Sequence, residues 1–149
     1  MSLKIRVVAV AALLACLPLY ASAKGSCPEP VKESVSKAQP GSKIVSCKPE
    51  TLKGKTQYEV KLKTADGKKL EVDAAPDGAI LLTEETVAVS SVPEAVSKAF
   101  AARYSDAKAT RAEKQTAADG KVAYELAWKA AGKKKEATFD ANGGFVSEE

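Results

Sequence analysis

Two stretches, SVSKAQPGSK (residues 34–43) and AVSKAFAARYSDAK (residues 95–108), share the tetrapeptide Val-Ser-Lys-Ala. Each lies in a segment with helical periodicity. In the first, Val31, Val35 and Ala38 recur at helical spacing until Pro40-Gly41 stops the helix. In the second, Val92, Val96, Ala99, Phe100 and Tyr104 do so, with Pro93 suited to a first helical turn. Matching the tetrapeptides pairs Val35 with Val96 and predicts a second helix about one turn longer than the first, ending at Arg103 or Tyr104. The dipeptides Tyr58-Glu59 and Tyr124-Glu125 stand 66 residues apart and Val35 and Val96 only 61. The longer second helix would account for most of that difference.

Each helix is followed by alternating segments. A short strand is expected at Lys43–Lys48 in one copy and Lys108–Gln115 in the other. Tyr58, Val60 and Leu62 then alternate with Gln57, Glu59, Lys61 and Lys63. A turn at Ala65-Asp66-Gly67 leads to Leu70 and Val72 against Lys69, Glu71 and Asp73. Asp77-Gly78 turns the chain into a strand over Ala79–Thr83. The second copy repeats the plan: Tyr124, Leu126 and Trp128, a turn near Gly132, Ala137 and Phe139, then Asn142-Gly143 before Phe145 and Val146. The fold class expected is α+β: two repeats of helix plus antiparallel β-meander forming one twisted antiparallel sheet with both helices on one face, sharing one apolar layer. Thr86 to Ser91 reads as a short extended connector, because Val87 and Val89 alternate. Each copy alone would be marginal at about 60 residues, so a single cooperative unfolding transition is expected.

Residues 1–23 read as a secretory leader. Lys4 and Arg6 precede the apolar run Val7–Leu19, and Ala21-Ser22-Ala23 offers small residues at a cleavage site. Leu13-Leu14-Ala15-Cys16 also resembles a lipobox, and only lipidation of Cys16 would anchor the chain to a membrane. Cleavage after Ala23 divides the remainder into repeat 1 (24–86) and repeat 2 (87–149). Removing the leader lowers the net charge from +4 to +2. That balance does not point to nucleic acid. Cys27 and Cys47 remain, and an even count in an oxidising compartment suggests one disulfide.

The segment VAVSSVPEAVSKAFAARYSDAKATRAEK followed by YELAWKAAGKKKEATFDANGG resembles the PepSY-like domains of exported bacterial proteins, which are grouped structurally with the β-lactamase inhibitor protein. The residues that carry the resemblance are Val92-Pro93, Tyr104, Ala107, Tyr124-Glu125-Leu126 and Phe139-Asp140. Ser105 stands where the family usually has Pro. The second copy carries the resemblance well and the first loosely. The resemblance implies a non-catalytic module, since its motif holds no catalytic signature.

The residues agree with that expectation. The chain has no His, so the commonest acid–base group is missing. It has no Gly-x-Ser-x-Gly elbow and no zinc motif, and no cofactor is expected. Asp73 and Asp77 in one turn, and Asp140 and Asn142 in another, supply few oxygens for calcium and suit tight bends. The expected function is an exported interaction module, monomeric, in the periplasm or secreted, that inhibits or regulates an envelope enzyme. The alternative is a cation- or small-ligand-binding envelope protein. The candidate binding face is the sheet surface away from the helices, with Glu59, Lys61, Lys63, Glu71, Asp73, Glu125 and Lys129. Gln57 and Thr138 belong to the same face, expected to be solvated throughout.

Overall fold

The computed structural model describes residues 27–149; the leader expected at 1–23, with Cys16, lies outside the described residues. Helix α1 (Glu29–Ala38) is followed by strands β1 (Lys43–Leu52), β2 (Lys55–Lys63), β3 (Lys69–Ala74) and β4 (Ile80–Val87). A 3₁₀ turn (Val89–Ser91) leads into α2 (Glu94–Arg103). Then come β5 (Arg111–Ala117), β6 (Val122–Ala130), β7 (Lys133–Asp140) and β8 (Phe145–Glu148). The strands form one antiparallel sheet in chain order, β1 to β8.

Residues directly opposite each other in an antiparallel ladder share a face. Val60 lies opposite Val72, Val72 opposite Thr83, Thr83 opposite Thr116 and Thr116 opposite Val122. The period of two then puts Val60, Val72, Leu126 and Phe139 on one face. Val31 and Val35 of α1 pack there with Tyr58, Val60, Leu62, Val72 and Ala74. Val96 and Phe100 of α2 pack on the same side with Ala112, Leu126, Trp128, Ala137 and Phe139. Both helices therefore cover one face, as the alternation predicts.

The apolar layer is not shared, however. The buried side chains form two separate clusters, one under each helix. Between them the helix-side face carries Thr83 opposite Thr116 and Glu85 opposite Lys114. Alternation marks which face a residue takes; it does not reveal that the face turns polar where the two halves meet.

The tetrapeptide match also needs correction. Both helices have ten residues, and Val35 sits seventh in α1 where Val96 sits third in α2. The structurally corresponding positions lie 65 residues apart. Pro28 and Pro93 are the N-caps, with carbonyls accepting from Lys32 N and Ser97 N at 3.0 Å. Gln39 and Tyr104 are the C-caps with nearly identical backbone angles. Val31 corresponds to Val96, and Val35 to Phe100. A slip of four residues is close to one turn, so it leaves the apolar stripe in phase and passes unnoticed in the sequence. The remaining residue of offset enters at the β5–β6 turn, where five residues separate the pair Thr116–Val122 against four between Thr51 and Thr56.

Four boundaries differ from expectation, β4 among them: expected over Ala79–Thr83, it runs Ile80–Val87. β1 runs on to Leu52, and β5 occupies Arg111–Ala117. The connector is extended only to Val87; Val89–Ser91 winds into a 3₁₀ turn closed by Ser91 N and Oγ donating to the Ala88 carbonyl. Pro93 stands just before α2, with Val92 buried behind it.

The same turn anchors each helix to its sheet. Gly78 (φ +91°) and Gly143 (φ +88°) lie in the β3–β4 and β7–β8 turns. A Cβ there would come within 2.5 Å of the Pro30 carbonyl oxygen, or 2.6 Å of that of Ala95. Backbone thus rests on backbone at the first helical turn. Cys27 and Cys47 are joined by a disulfide that ties the entry of α1 to β1, worth about 3 kcal/mol for a loop of this size. Their counterparts 65 residues on, Val92 and Ala112, make an apolar contribution within the second core.

Gly143→Ala should cost about 2 kcal/mol or more, adding a backbone clash to the strain of the left-handed region. Gly120→Ala, at φ +81° with nothing within 4 Å of the added carbon, should cost only about 1 kcal/mol. Equal losses in denaturant titrations would remove the glycine contact from its anchoring role. Trp128 is 5% exposed and packs edge-on to Phe100 at 5.3 Å. Trp128→Ala should cost roughly 3–5 kcal/mol. The native protein should emit blue-shifted fluorescence, and emission at the solvent limit would place the indole outside the core.

Candidate functional site

The face away from the helices is uncovered by any helix across the described strands, and every residue expected on it falls there. Glu59 and Lys61 of β2 lie opposite Asp73 and Glu71 of β3, and Lys63 lies opposite Lys69. Glu125 of β6 lies opposite Thr138 of β7, and Lys129 opposite Lys134. The seven do not form one cluster. Lys63 and Lys129 stand at the β2–β3 and β6–β7 hairpin ends of the sheet. Glu59, Lys61, Glu71 and Asp73 sit together in the first half, and Glu125 stands in the second.

The register of β4 and β5 connects them and adds residues that alternation alone does not single out. Glu71 faces Glu84, Glu84 faces Gln115, Thr86 faces Glu113, and Glu113 faces Glu125. Gln115 Nε2 donates to Glu84 Oε1 at 2.8 Å and reaches Glu125 Oε2 at 3.4 Å. Thr86 Oγ1 donates to Glu113 Oε1 at 3.3 Å. Cations enter from the flanks: Lys61 Nζ is 3.1 Å from both Glu59 and Glu71, and Arg111 and Lys134 pair with Glu113 and Glu136. A groove of about 740 Å³ lined by Lys61, Glu71, Glu84, Thr86, Arg111 and Glu113 runs over this junction. The signal for Glu84 and Glu113 was present in their parity, but placing them needed the β4–β5 pairing.

The face is less solvated than expected. Gln57 and Thr138 are only 8% and 9% exposed. Strands stand about 4.8 Å apart, so long side chains on neighbouring strands cover one another and the residues beneath. The same crowding shifts the carboxyls. Burial pushes Glu84 up to about 7, with the Glu113 charge adding to it. Burial does the same to Glu125, to about 7, reinforced by the charge of Glu136 and a hydrogen bond with it. Asp73 rises to about 6 through burial and the charges of Glu50, Glu71 and Glu59. Lys61 is held above its ordinary range by its bonds to Glu71 and Glu59.

Among the described residues, no group of three or more carboxylates or cysteines is arranged to hold a metal ion. Asp77 and Asp140 spend side-chain oxygens on turns: Asp77 Oδ1 accepts from Ala79 N, and Asp140 Oδ1 from Asn142 N and Gly144 N. No helix among the described residues is long and apolar enough to cross a membrane.

Residues 29–82 match the family model PepSY, described as the peptidase propeptide and YPEB domain. The match lies in the first half, whereas the resemblance in the sequence is most readily traced in the second. Solved structures share the architecture. A BLIP-like protein from Bacteroides fragilis is 21% identical, with 83% of this chain and 86% of that one covered and a TM-score of 0.61. A DUF2874 family protein from Bacteroides uniformis is 16% identical, over 83% and 89%, with a TM-score of 0.67. A candidate periplasmic protein from Bacteroides eggerthii is 19% identical, over 84% and 89%, with a TM-score of 0.66. No curated protein sequence matches the chain. The fold is PepSY-like and BLIP-like.

These carboxyls make stability fall as pH rises. Glu84 and Glu125 hold protons more tightly in the folded chain than the 4.5 of an ordinary Glu. Their contribution is complete below 4.5 and is lost as pH climbs through about 7. The melting temperature should therefore be higher at pH 5 than at pH 8. A melting temperature that increases across that interval would contradict this ionisation pattern.

Proposed function

We propose that the chain is an exported, non-catalytic interaction protein built from two PepSY-like repeats, 24–86 and 87–149, behind a leader at 1–23. It works in the periplasm or as a secreted monomer, requires no cofactor, and engages a protein partner of the cell envelope, not nucleic acid. The observation that carries this reading is the uncovered face of the sheet. Strands β1 to β7 present charged side chains on one side while the two described helices cover the other. The correspondence of Pro28, Val31 and Gly78 with Pro93, Val96 and Gly143 supports duplication. The candidate periplasmic and BLIP-like neighbours support the location and the kind of activity, namely restraint of an envelope enzyme.

The character of the face sets the kind of binding. Tight interfaces lean on buried aromatic and Arg anchors. Here Tyr58 and Trp128 are in the core, and the open face is lined chiefly with carboxylates, lysines and Arg111. Binding is therefore electrostatically steered, fast to form and weakened by salt.

Immobilised protein should retain one envelope protein stoichiometrically, and about 0.5 M salt should release it, since screening is then short-ranged. Charge reversal on the open face, Lys61→Glu with Arg111→Glu, should abolish retention. Reversal on the helices, Lys32→Glu with Lys98→Glu, should leave it intact. Equal retention by both variants would exclude the open face as the binding surface.

A further inference from the structure

The ladder between β4 and β5 is the place where the two helix-covered halves meet, and it is polar on both faces. On the helix side it pairs Thr83 with Thr116 and Glu85 with Lys114. On the open side it pairs Glu84 with Gln115 and Thr86 with Glu113. Apolar side chains meet across it only at its ends, Leu82 with Ala117 and Val87 with Ala112. Ile80, at the start of β4, packs against the first core, and Val87, at its end, packs against the second. The middle of β4 is thus held chiefly by backbone hydrogen bonds and by two neutral donors, the Gln115 amide and the Thr86 hydroxyl.

Like-charged residues flank this joint directly. Glu71 stands opposite Glu84 on one side and Glu113 opposite Glu125 on the other. Like charges directly opposite in a ladder are destabilising. We propose that the β4–β5 ladder is a pH-responsive joint that is tight while the central carboxyls hold protons and loosens as they ionise, freeing the two halves to move relative to each other. This joint is a property of the chain itself and does not depend on any partner of the open face.

The charges around it decide the sign. Glu84 is faced by Glu71 and Asp73 from β3, with Lys61 of β2 behind Glu71, and by Gln115 from β5, with Glu113 two residues along the same strand on the same face. Glu125 is faced by Glu113 from β5, with Arg111 beside it, and by Thr138 from β7, with Glu136 and its partner Lys134 beside it. Lys61, Arg111 and Lys134 are already paired with Glu59 and Glu71, Glu113, and Glu136 respectively. They leave Glu84 and Glu125 without a cation among the described ion pairs. Loss of both protons as pH climbs through about 7 adds two charges to the centre of an acidic band. Glu71–Glu84 and Glu113–Glu125 stay paired in their own ladders when this one opens, but opening parts Glu84 from Glu113, its acidic neighbour across the joint, and returns Glu84 to water, so ionisation favours opening.

Amide hydrogen exchange on the full chain, corrected for intrinsic rates, tests this directly. Between pH 5.5 and pH 8, protection of the ladder amides in Leu82–Val87 and Ala112–Ala117 should fall about tenfold or more. That corresponds to relief of at least one pKa unit on opening. Protection in the β2–β3 and β6–β7 ladders should fall less. In Glu84→Gln with Glu125→Gln, near-isosteric and neutral, the β4–β5 amides should keep their pH 5.5 protection at pH 8. A uniform loss of protection across the sheet, no pH dependence at β4–β5, or an unchanged pH dependence in the double variant would each overturn the proposal. If the double variant fails to fold, the wild-type comparison of the three ladders still decides it.

Discussion

Ten residues of α-helix make a rod about 15 Å long and 10 Å across, while eight strands make a sheet roughly 34 Å wide. The described helices are both of that length, so neither can cover the whole sheet. This mismatch governs the rest of the molecule. Each helix builds its own apolar cluster beneath it, and the middle of β4 and of β5, between the clusters, meets no apolar partner across their ladder. Threonine, glutamate, lysine and glutamine can therefore occupy β4 and β5 on both faces. The sheet continues through them because ladder hydrogen bonds need no apolar partner.

The two halves meet a similar demand with different chemistry. Apart from Tyr58 and Cys27, the first core is built of small aliphatic side chains: Val31, Val35, Val60, Leu62, Val72 and Ala74. At matching places the second has Val96, Phe100, Leu126, Trp128, Ala137 and Phe139. Its rings pack edge to face, Phe100 against Trp128 and Phe139, a geometry that adds to the area they bury. The thinner core is the one with the disulfide, where the thicker one places Val92 and Ala112. A cross-link that restricts the unfolded chain thus stands in for side-chain volume.

The helix-free face shows what happens when charged side chains crowd a flat array. Carboxylates on adjacent strands lie too close for water to separate them fully. Lysine and arginine reach only the flanks, and the central glutamates respond by holding their protons. A surface that would be fully ionised if its residues were isolated therefore changes charge near neutral pH. A partner meeting this face meets a different charge pattern on each side of neutrality.

Much of this was legible in the chain itself. The alternation of Tyr58, Val60 and Leu62 with Glu59 and Lys61, and of Tyr124, Leu126 and Trp128 with Glu125 and Lys129, determined which residues face the helices. It also puts Glu59, Lys61, Lys63, Glu71, Asp73, Glu125 and Lys129 on the side away from the helices. The even number of cysteines left after the expected leader suggested the Cys27–Cys47 bond, and the prolines and glycines marked the helix starts and the turns. The alignment of the two halves was not legible, because a four-residue slip along a helix preserves its apolar stripe. Only the caps and the Gly78 and Gly143 contacts show the 65-residue correspondence between the two helices. Nor was the break between the cores legible, nor the meeting of Glu71 with Glu84 and of Glu113 with Glu125. Those depend on which residue of one strand lies opposite which residue of the next. Alternation determines the face a side chain takes; its neighbour across the ladder is decided only when the strands are brought together.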